Sequence, residues 1–233
     1  MDNGDIQVSI VIPTYNERDN IRELFLGIEN TLDGKWTYEI IIVDDNSPDD
    51  TAGAVARLGD GDPRVCLINR PGKLGLGSAI VAGFSVAKGE YWVMMDADLS
   101  HRPVELPRLL RALGDSDIAI GSRYIKGGAI SGWPIYRKIA SRVASTFARW
   151  ILRLDVKDAS SGFVAFRRET VAPILNSLEP KGFKLLLEIL VRSHNKHVVE
   201  VPIKFVERVR GRSKFSGREI FAFLSLCLRL RRI

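Results

Sequence analysis

The sequence predicts an α/β protein: a mostly parallel sheet with helices on both faces. Three observations predict it. Short β-branched runs alternate with amphipathic stretches through the first half of the chain, three of those runs are apolar almost throughout, and acidic clusters directly follow two of them. A run apolar on both sides suits a strand whose two faces are covered. In such sheets ligands bind outside the carboxyl ends of the strands, which is where the acidic clusters fall.

In chain order, residues 8–12, 38–43, 65–69, 91–96 and 118–122 read as strands, with helical patterns at 20–31, 51–58, 77–87 and 103–113 between them. The second half is less regular. A long amphipathic helix is expected over 134–152, with Arg137, Lys138, Arg142 and Arg149 among apolar positions. A strand at 162–166, helices at 170–178 and 184–194, and a strand at 198–205 follow. Residues 207–216 read as a flexible basic loop with Gly211 and Gly217 as hinges, expected to close over a bound nucleotide. The expected division is one catalytic domain over 1–216 and a terminal helix over 217–233.

That helix carries an apolar run at 220–228 flanked by Arg218, Arg229, Arg231 and Arg232. It falls short of the roughly 20 residues a bilayer span needs. An amphipathic helix lying in a membrane interface and a core-packed terminal helix both fit it, as does a chain cut just before true membrane helices.

Composition supports one large domain: 233 residues, 45% hydrophobic and 27% charged. The net charge of +6 is concentrated at the end. From Lys204 onward nine basic residues stand against Glu207 and Glu219, a local +7, so the remainder is close to −1. No aromatic-basic stacking pattern accompanies this cluster, which argues against nucleic acid as the partner. The acidic N-terminus does not read as a signal peptide. Cys66 and Cys227, far apart and each in an apolar run, are expected as free thiols.

Asp96-Ala97-Asp98 is the strongest chemical signal. Two carboxylates brought together at a strand end repel unless a cation joins them, and oxygen donors with room for water and phosphate suit Mg²⁺ or Mn²⁺. Alone, the pattern also fits a solvated acidic turn. The segment Asp44-Asp45-Asn46-Ser47-Pro48-Asp49-Asp50 fits a turn with Ser47 or Asp49 capping a helix, and a carboxylate there can also accept hydrogen bonds from a base or ribose. The glycine-rich stretch 72–77 precedes a helix, yet it is not a Walker loop and follows the third strand instead of the first, so it reads as ambiguous. His194 and His197 read as helix-end cations, and His101 as a turn residue near the acidic pair.

Taken together the motifs resemble family-two glycosyltransferases of GT-A fold, in particular the dolichol-phosphate mannose synthase branch of polyprenyl-phosphate glycosyltransferases. The residues that carry the resemblance begin with Val11-Ile12-Pro13-Thr14-Tyr15-Asn16-Glu17, Val43-Asp44-Asp45-Asn46-Ser47-Pro48-Asp49 and Lys73-Leu74-Gly75-Leu76-Gly77. They continue with Met95-Asp96-Ala97-Asp98-Leu99-Ser100-His101, Gly121-Ser122-Arg123-Tyr124 and Asp158-Ala159-Ser160-Ser161-Gly162-Phe163, and end with Phe205, Arg208, Gly211, Ser213 and Lys214. The resemblance implies that Pro13, Tyr15, Glu17, Val43 and Asp45 line a nucleotide pocket. It implies that Asp96, Ala97 and Asp98 hold metal and diphosphate, and that Arg123, Arg137, Ser141, Arg208 and Lys214 surround phosphates and sugar. Some members have glutamine where this chain has Ser100, which leaves that residue's help to the metal open. The implied reaction is inverting transfer of mannose from GDP-mannose to dolichyl or another polyprenyl phosphate, with the same chemistry on UDP-glucose as the alternative. A non-catalytic nucleotide-binding or nucleic-acid-binding module is the reading from a different class. The implied setting is the cytoplasmic face of a membrane, held peripherally, with a separate membrane subunit as a further partner.

Overall fold

The computed structural model describes residues 6–179, 185–207 and 217–231. Its strands are β1 (Val8–Thr14), β2 (Tyr38–Asp44), β3 (Val65–Asn69), β4 (Tyr91–Met94), β5 (Ile118–Ser122), β6 (Ala129–Ser131), β7 (Val164–Arg167), β8 (Val198–Pro202) and β9 (Lys204–Val206). Its helices are α1 (Arg18–Leu32), α2 (Thr51–Leu58), α3 (Leu76–Val86), α4 (Leu106–Ala112), α5 (Ile135–Leu152), α6 (Arg168–Val171), α7 (Leu185–Arg192) and α8 (Gly217–Leu230).

Seven strands form one sheet in the order β3-β2-β1-β4-β7-β5-β8, while β6 and β9 pair separately. Within the large sheet only β7 runs against its neighbours. The chain winds outward from β1 through β2 to β3, then returns to the other side of β1 for β4. The carboxyl ends of β1 and β4 therefore border the point where the winding reverses, where a crevice for ligands opens.

β1 and β2 are buried along their whole lengths. Alternation sends Ile10, Ile12, Ile40 and Ile42 to one face and Val11, Ile41 and Val43 to the other. The first face is covered by α1, whose Ile21, Leu24, Phe25, Ile28 and Leu32 recur at helical spacing, together with Leu106, Leu109 and Leu110 of α4. The second is covered by α3, α7 and α8, with Phe84 stacked on Trp92 at 4.9 Å. Phe223, Cys227 and Leu230 of α8 are buried in that layer, and α8 lies against α5. Through these side chains the terminal helix packs on the core, one of the three readings its sequence left open. Cys66 and Cys227 are not joined in a disulfide.

Several boundaries shift for identifiable reasons. β4 ends at Met94, so Asp96 lies beyond it, although the Met95 N–H still reaches the Val11 carbonyl at 3.2 Å. The strand expected over 198–205 divides into β8 and β9 after Pro202, where the chain leaves the large sheet for the small one. The helix expected over 170–178 is only α6, continued as a 3-10 segment, Ala172–Ser177, because Pro173 removes an N–H from the ladder. Likewise Pro103–Glu105 is a 3-10 turn ahead of α4. β6, short and largely exposed between glycines, has no counterpart among the sequence expectations.

Candidate active site

The loops leaving β1 and β2 are stitched together. Asp44, fully buried, accepts hydrogen bonds from the Thr14 hydroxyl at 2.8 Å, the Ser47 N–H at 2.8 Å and the Ser47 hydroxyl at 2.6 Å. The N–H groups of Asn16, Glu17 and Arg18 donate in turn to Ser47, Thr51 and Asp49 at 3.0–3.1 Å. Asp49 also accepts the Thr51 N–H at the start of α2 at 3.0 Å, but the cap position itself is Asp50, at a positive φ of 67°, and not Ser47 or Asp49 as the sequence suggested. Pro13 and Val43 are buried at the strand ends, and Glu17 accepts from Asn20 at 2.6 Å.

Asp45 settles the ambiguous glycine-rich loop. Its carboxylate accepts the Gly75 N–H at 2.9 Å and an ion-paired hydrogen bond from Arg70. Arg70, itself buried, also donates to Ser78 at 2.8 Å and to the Gly75 carbonyl at 3.0 Å. Across from it the Lys73 ammonium sits 3.5 Å from the Tyr15 ring centroid. Tyr15 and Asp45 thus both meet the loop before α3, while Glu17 is tied to Asn20 and Thr51. Arg70, which the sequence reading did not single out, is what holds Asp45 to that loop.

The acidic pair sits at the neighbouring strand end. Leu99 takes a positive φ of 62°, turning the chain sharply after Asp98. Ala97 and Asp98 are buried, and an Asp98 oxygen accepts the Ser100 N–H at 3.0 Å. Asp96 is more open, with its side chain 29% exposed. It shares a cleft with Pro13, Ser161 and Gly162. A Cβ on Gly162 would stand 3.0 Å from an Asp96 carboxylate oxygen and 3.2 Å from the His101 ring, so a side chain there would push one of them aside by a few tenths of an ångström. His101 is no solvated turn residue. It is buried, stacked on Phe163 at 5.3 Å, and its Nδ1 lies 3.5 Å from the Asp96 carboxylate. The expected turn role gives way because the turn folds inward over Phe163 and Phe205.

The donor set fits a hard divalent cation. Among the described residues no trio of His, Cys, Asp and Glu gathers into a closed metal cluster. The oxygen donors on this turn are two carboxylates two positions apart, that of Asp96 open to the cleft and that of Asp98 buried, with the buried Ser100 hydroxyl lacking any hydrogen-bond partner among the described residues. Mg²⁺ and Mn²⁺ accept such a set, completing their shells with water and phosphate oxygens.

Arg123, at the end of β5, is clamped by Asp158. Its Nε and one terminal nitrogen each donate to that carboxylate at 2.7 Å, and its backbone N–H does so at 3.0 Å. Burial opposes the guanidinium's charge, but the Asp158 hydrogen bonds and charge outweigh it and keep its pKa above the ordinary value, with Asp96 adding to the field. Glu200 accepts the N–H groups of Lys157 and Asp158 at 2.7 and 2.9 Å, fixing the turn that presents Asp158. On α5, Arg137 pairs with Glu207 at 3.1 Å, and Ser141 accepts a hydrogen bond from Tyr124 at 2.7 Å. Arg208 and Lys214, with the rest of the basic loop, lie outside the described residues. His194 is exposed and His197 bonds to the Asp115 carbonyl at 2.7 Å, away from the acidic pair.

α5 also turns large apolar side chains outward. Ile135, Ile139, Val143 and Trp150 are 57–77% exposed, with Arg142 beside them. Among the described residues no helix is long and apolar enough to cross a membrane.

Comparison with known proteins identifies the family. The dolichol-phosphate mannosyltransferase of Pyrococcus furiosus is 47% identical over 228 residues, 97% of this chain. This chain spans only 64% of that relative's length. The polyprenol monophosphomannose synthase of Mycolicibacterium smegmatis is 41% identical, covering 91% of this chain and 82% of its own. Among solved structures, a mannosyltransferase from Pyrobaculum calidifontis in complex with GDP-Man and Mn²⁺ superposes with a TM-score of 0.66 at 18% identity, over 98% of this chain and 64% of that one. Glucosyl-3-phosphoglycerate synthase from Mycobacterium tuberculosis in complex with UDP gives 0.71 at 21% identity, over 98% and 81%. Such distant likenesses speak for the fold. The profile of glycosyl transferase family 2 matches residues 9–175, and with relatives this similar the chain belongs to that family.

Proposed function

We propose that the chain transfers mannose from GDP-mannose to the phosphate of a polyprenol such as dolichol, with inversion at the sugar carbon. The observation that carries the reading is the position of the Asp96–Asp98 pair. It stands at the sheet's switch point, with Tyr15, Glu17 and Asp45 following the adjacent strands and Arg123 near enough for Asp96 to raise its pKa. The names of relatives 40–47% identical supply the substrate class.

Asp96 and Asp98 would hold Mg²⁺ or Mn²⁺, which when bound neutralises the donor's diphosphate and the charge growing on it as it leaves. The Ala97 backbone and Ser100 complete that edge of the site. Arg137 and Ser141 orient the acceptor phosphate, since guanidinium donors match its oxygens, and Arg123, whose fork is held by Asp158, adds its charge and its remaining terminal nitrogen. A phosphate monoester is already ionised near pH 7, so it attacks without a general base. Arg208 and Lys214 are assigned to the donor phosphates.

The acceptor's lipid chain stays in the bilayer, so the site must come to it. The outward stripe of α5 beside Arg142, and the arginines at the end of α8, suit a peripheral position on the cytoplasmic membrane face, with a separate anchoring subunit as a further partner. A donor screen tests the reading: GDP-mannose and UDP-glucose are each offered with a polyprenyl phosphate, and transferred sugar is measured. Transfer of mannose from GDP-mannose is expected, and preference for UDP-glucose would overturn the donor assignment.

A further inference from the structure

Trp133 precedes α5 in the segment Gly132-Trp133-Pro134, and its surroundings give it a specific task. Gly132 sits at φ +85°, and a Cβ there would come within 2.6 Å of the Glu207 side chain. The absence of that atom lets the Glu207 N–H reach the Ser131 carbonyl at 3.0 Å. Pro134 holds Trp133 out of the helical region and opens α5 behind it. The indole is thereby fixed at the mouth of the helix, braced against the edge of Phe205 at 5.2 Å.

Two guanidinium groups lie against this ring. The Arg137 carbon is 3.9 Å from its centroid and the Arg123 carbon 5.6 Å, both inside the range over which a cation and a ring attract. A guanidinium lying near a ring face spends none of its in-plane N–H donors there. Arg137 gives one of its donors to Glu207, at 3.1 Å, and Arg123 is turned onto Asp158.

We infer that Trp133 is a positioning residue for the acceptor phosphate. Its ring holds Arg137 beside the clamped Arg123, offsets their mutual repulsion and takes none of the donors with which they reach the phosphate. This rests on the reading of Arg123 and Arg137 as acceptor-binding residues, and the test separates the two.

The test measures steady-state kinetics with GDP-mannose and a short-chain prenyl phosphate, which needs no membrane, for Trp133→Ala, Trp133→Leu, Trp133→Phe and Arg137→Ala. Loss of the ring is expected to raise the acceptor KM by about threefold to thirtyfold, the range of a single cation–ring contact. The donor KM should stay within about twofold, and Trp133→Phe should recover most of the loss because it keeps a ring face. Leucine fills space without a ring, so Trp133→Leu behaving like Trp133→Phe would overturn the inference even where the alanine variant fails to fold. An unchanged acceptor KM in Trp133→Leu, with a raised one in Arg137→Ala, would also overturn it. An unchanged acceptor KM in Arg137→Ala would instead overturn the acceptor-site reading beneath it.

Discussion

Removing the Asp158 carboxylate tests the clamp on Arg123. Asp158 is completely buried and the Arg123 side chain is 7% exposed, with three donors on one carboxylate at 2.7–3.0 Å. Asp158→Leu leaves a buried guanidinium without its counter-ion, and breaking a buried pair from one side costs about 3–5 kcal/mol. For a chain of this size each 1 kcal/mol moves Tm by about 2–4 °C, so the midpoint should fall on the order of 10 °C. Arg123→Met strands the carboxylate in the same way and should cost a similar amount. Asp158→Leu combined with Arg123→Met removes both charges, a replacement that is often close to neutral. That double variant should regain most of the stability and none of the turnover, because packing is restored while the phosphate-facing arginine is gone. Urea unfolding of all four proteins gives the coupling, and transfer to a prenyl phosphate gives the activity. Single variants that cost less than about 1 kcal/mol, or a double variant as unstable as the sum of the singles, would refute the reasoning.

Three further perturbations follow from the geometry. Gly162→Ala pushes a methyl group to 3.0 Å from Asp96, so turnover should fall roughly tenfold to a hundredfold and half-maximal activity should need more metal, as a metal titration would show. Arg70→Met strips the buried Asp45 of its ion pair, which should cost about 3 kcal/mol in urea unfolding and raise the donor KM, with the acceptor KM unchanged. Ile139→Ser and Trp150→Ser alter outward side chains, so stability should move by less than about 0.5 kcal/mol while co-sedimentation with anionic liposomes weakens.

The sequence revealed most where local pattern and burial coincide. β1 and β2 were legible because both faces of each strand are covered and nearly every residue is apolar. Asp96 and Asp98 were legible because they directly follow such a run. Arg70 and Asp158 were not legible as partners, since Arg70–Asp45 and Arg123–Asp158 join residues 25 and 35 positions apart, and nothing local marks an arginine as buried. Periodicity identified α5 as amphipathic but not which of its apolar positions face outward. β6 was missed because it is short, exposed and set among glycines. His101 misled because its packing partners, Phe163 just before β7 and Phe205 in β9, are distant in sequence.

The central claim is metal-dependent mannose transfer at the Asp96–Asp98 pair. It is tested most directly by mass-spectrometric detection of mannosyl lipid from GDP-mannose and a polyprenyl phosphate, for the parent chain and a folded Asp98→Ala variant, with Mn²⁺ or Mg²⁺ and with chelator. The account predicts product only from the parent chain with metal. Full turnover by the Asp98→Ala variant in chelator would contradict it.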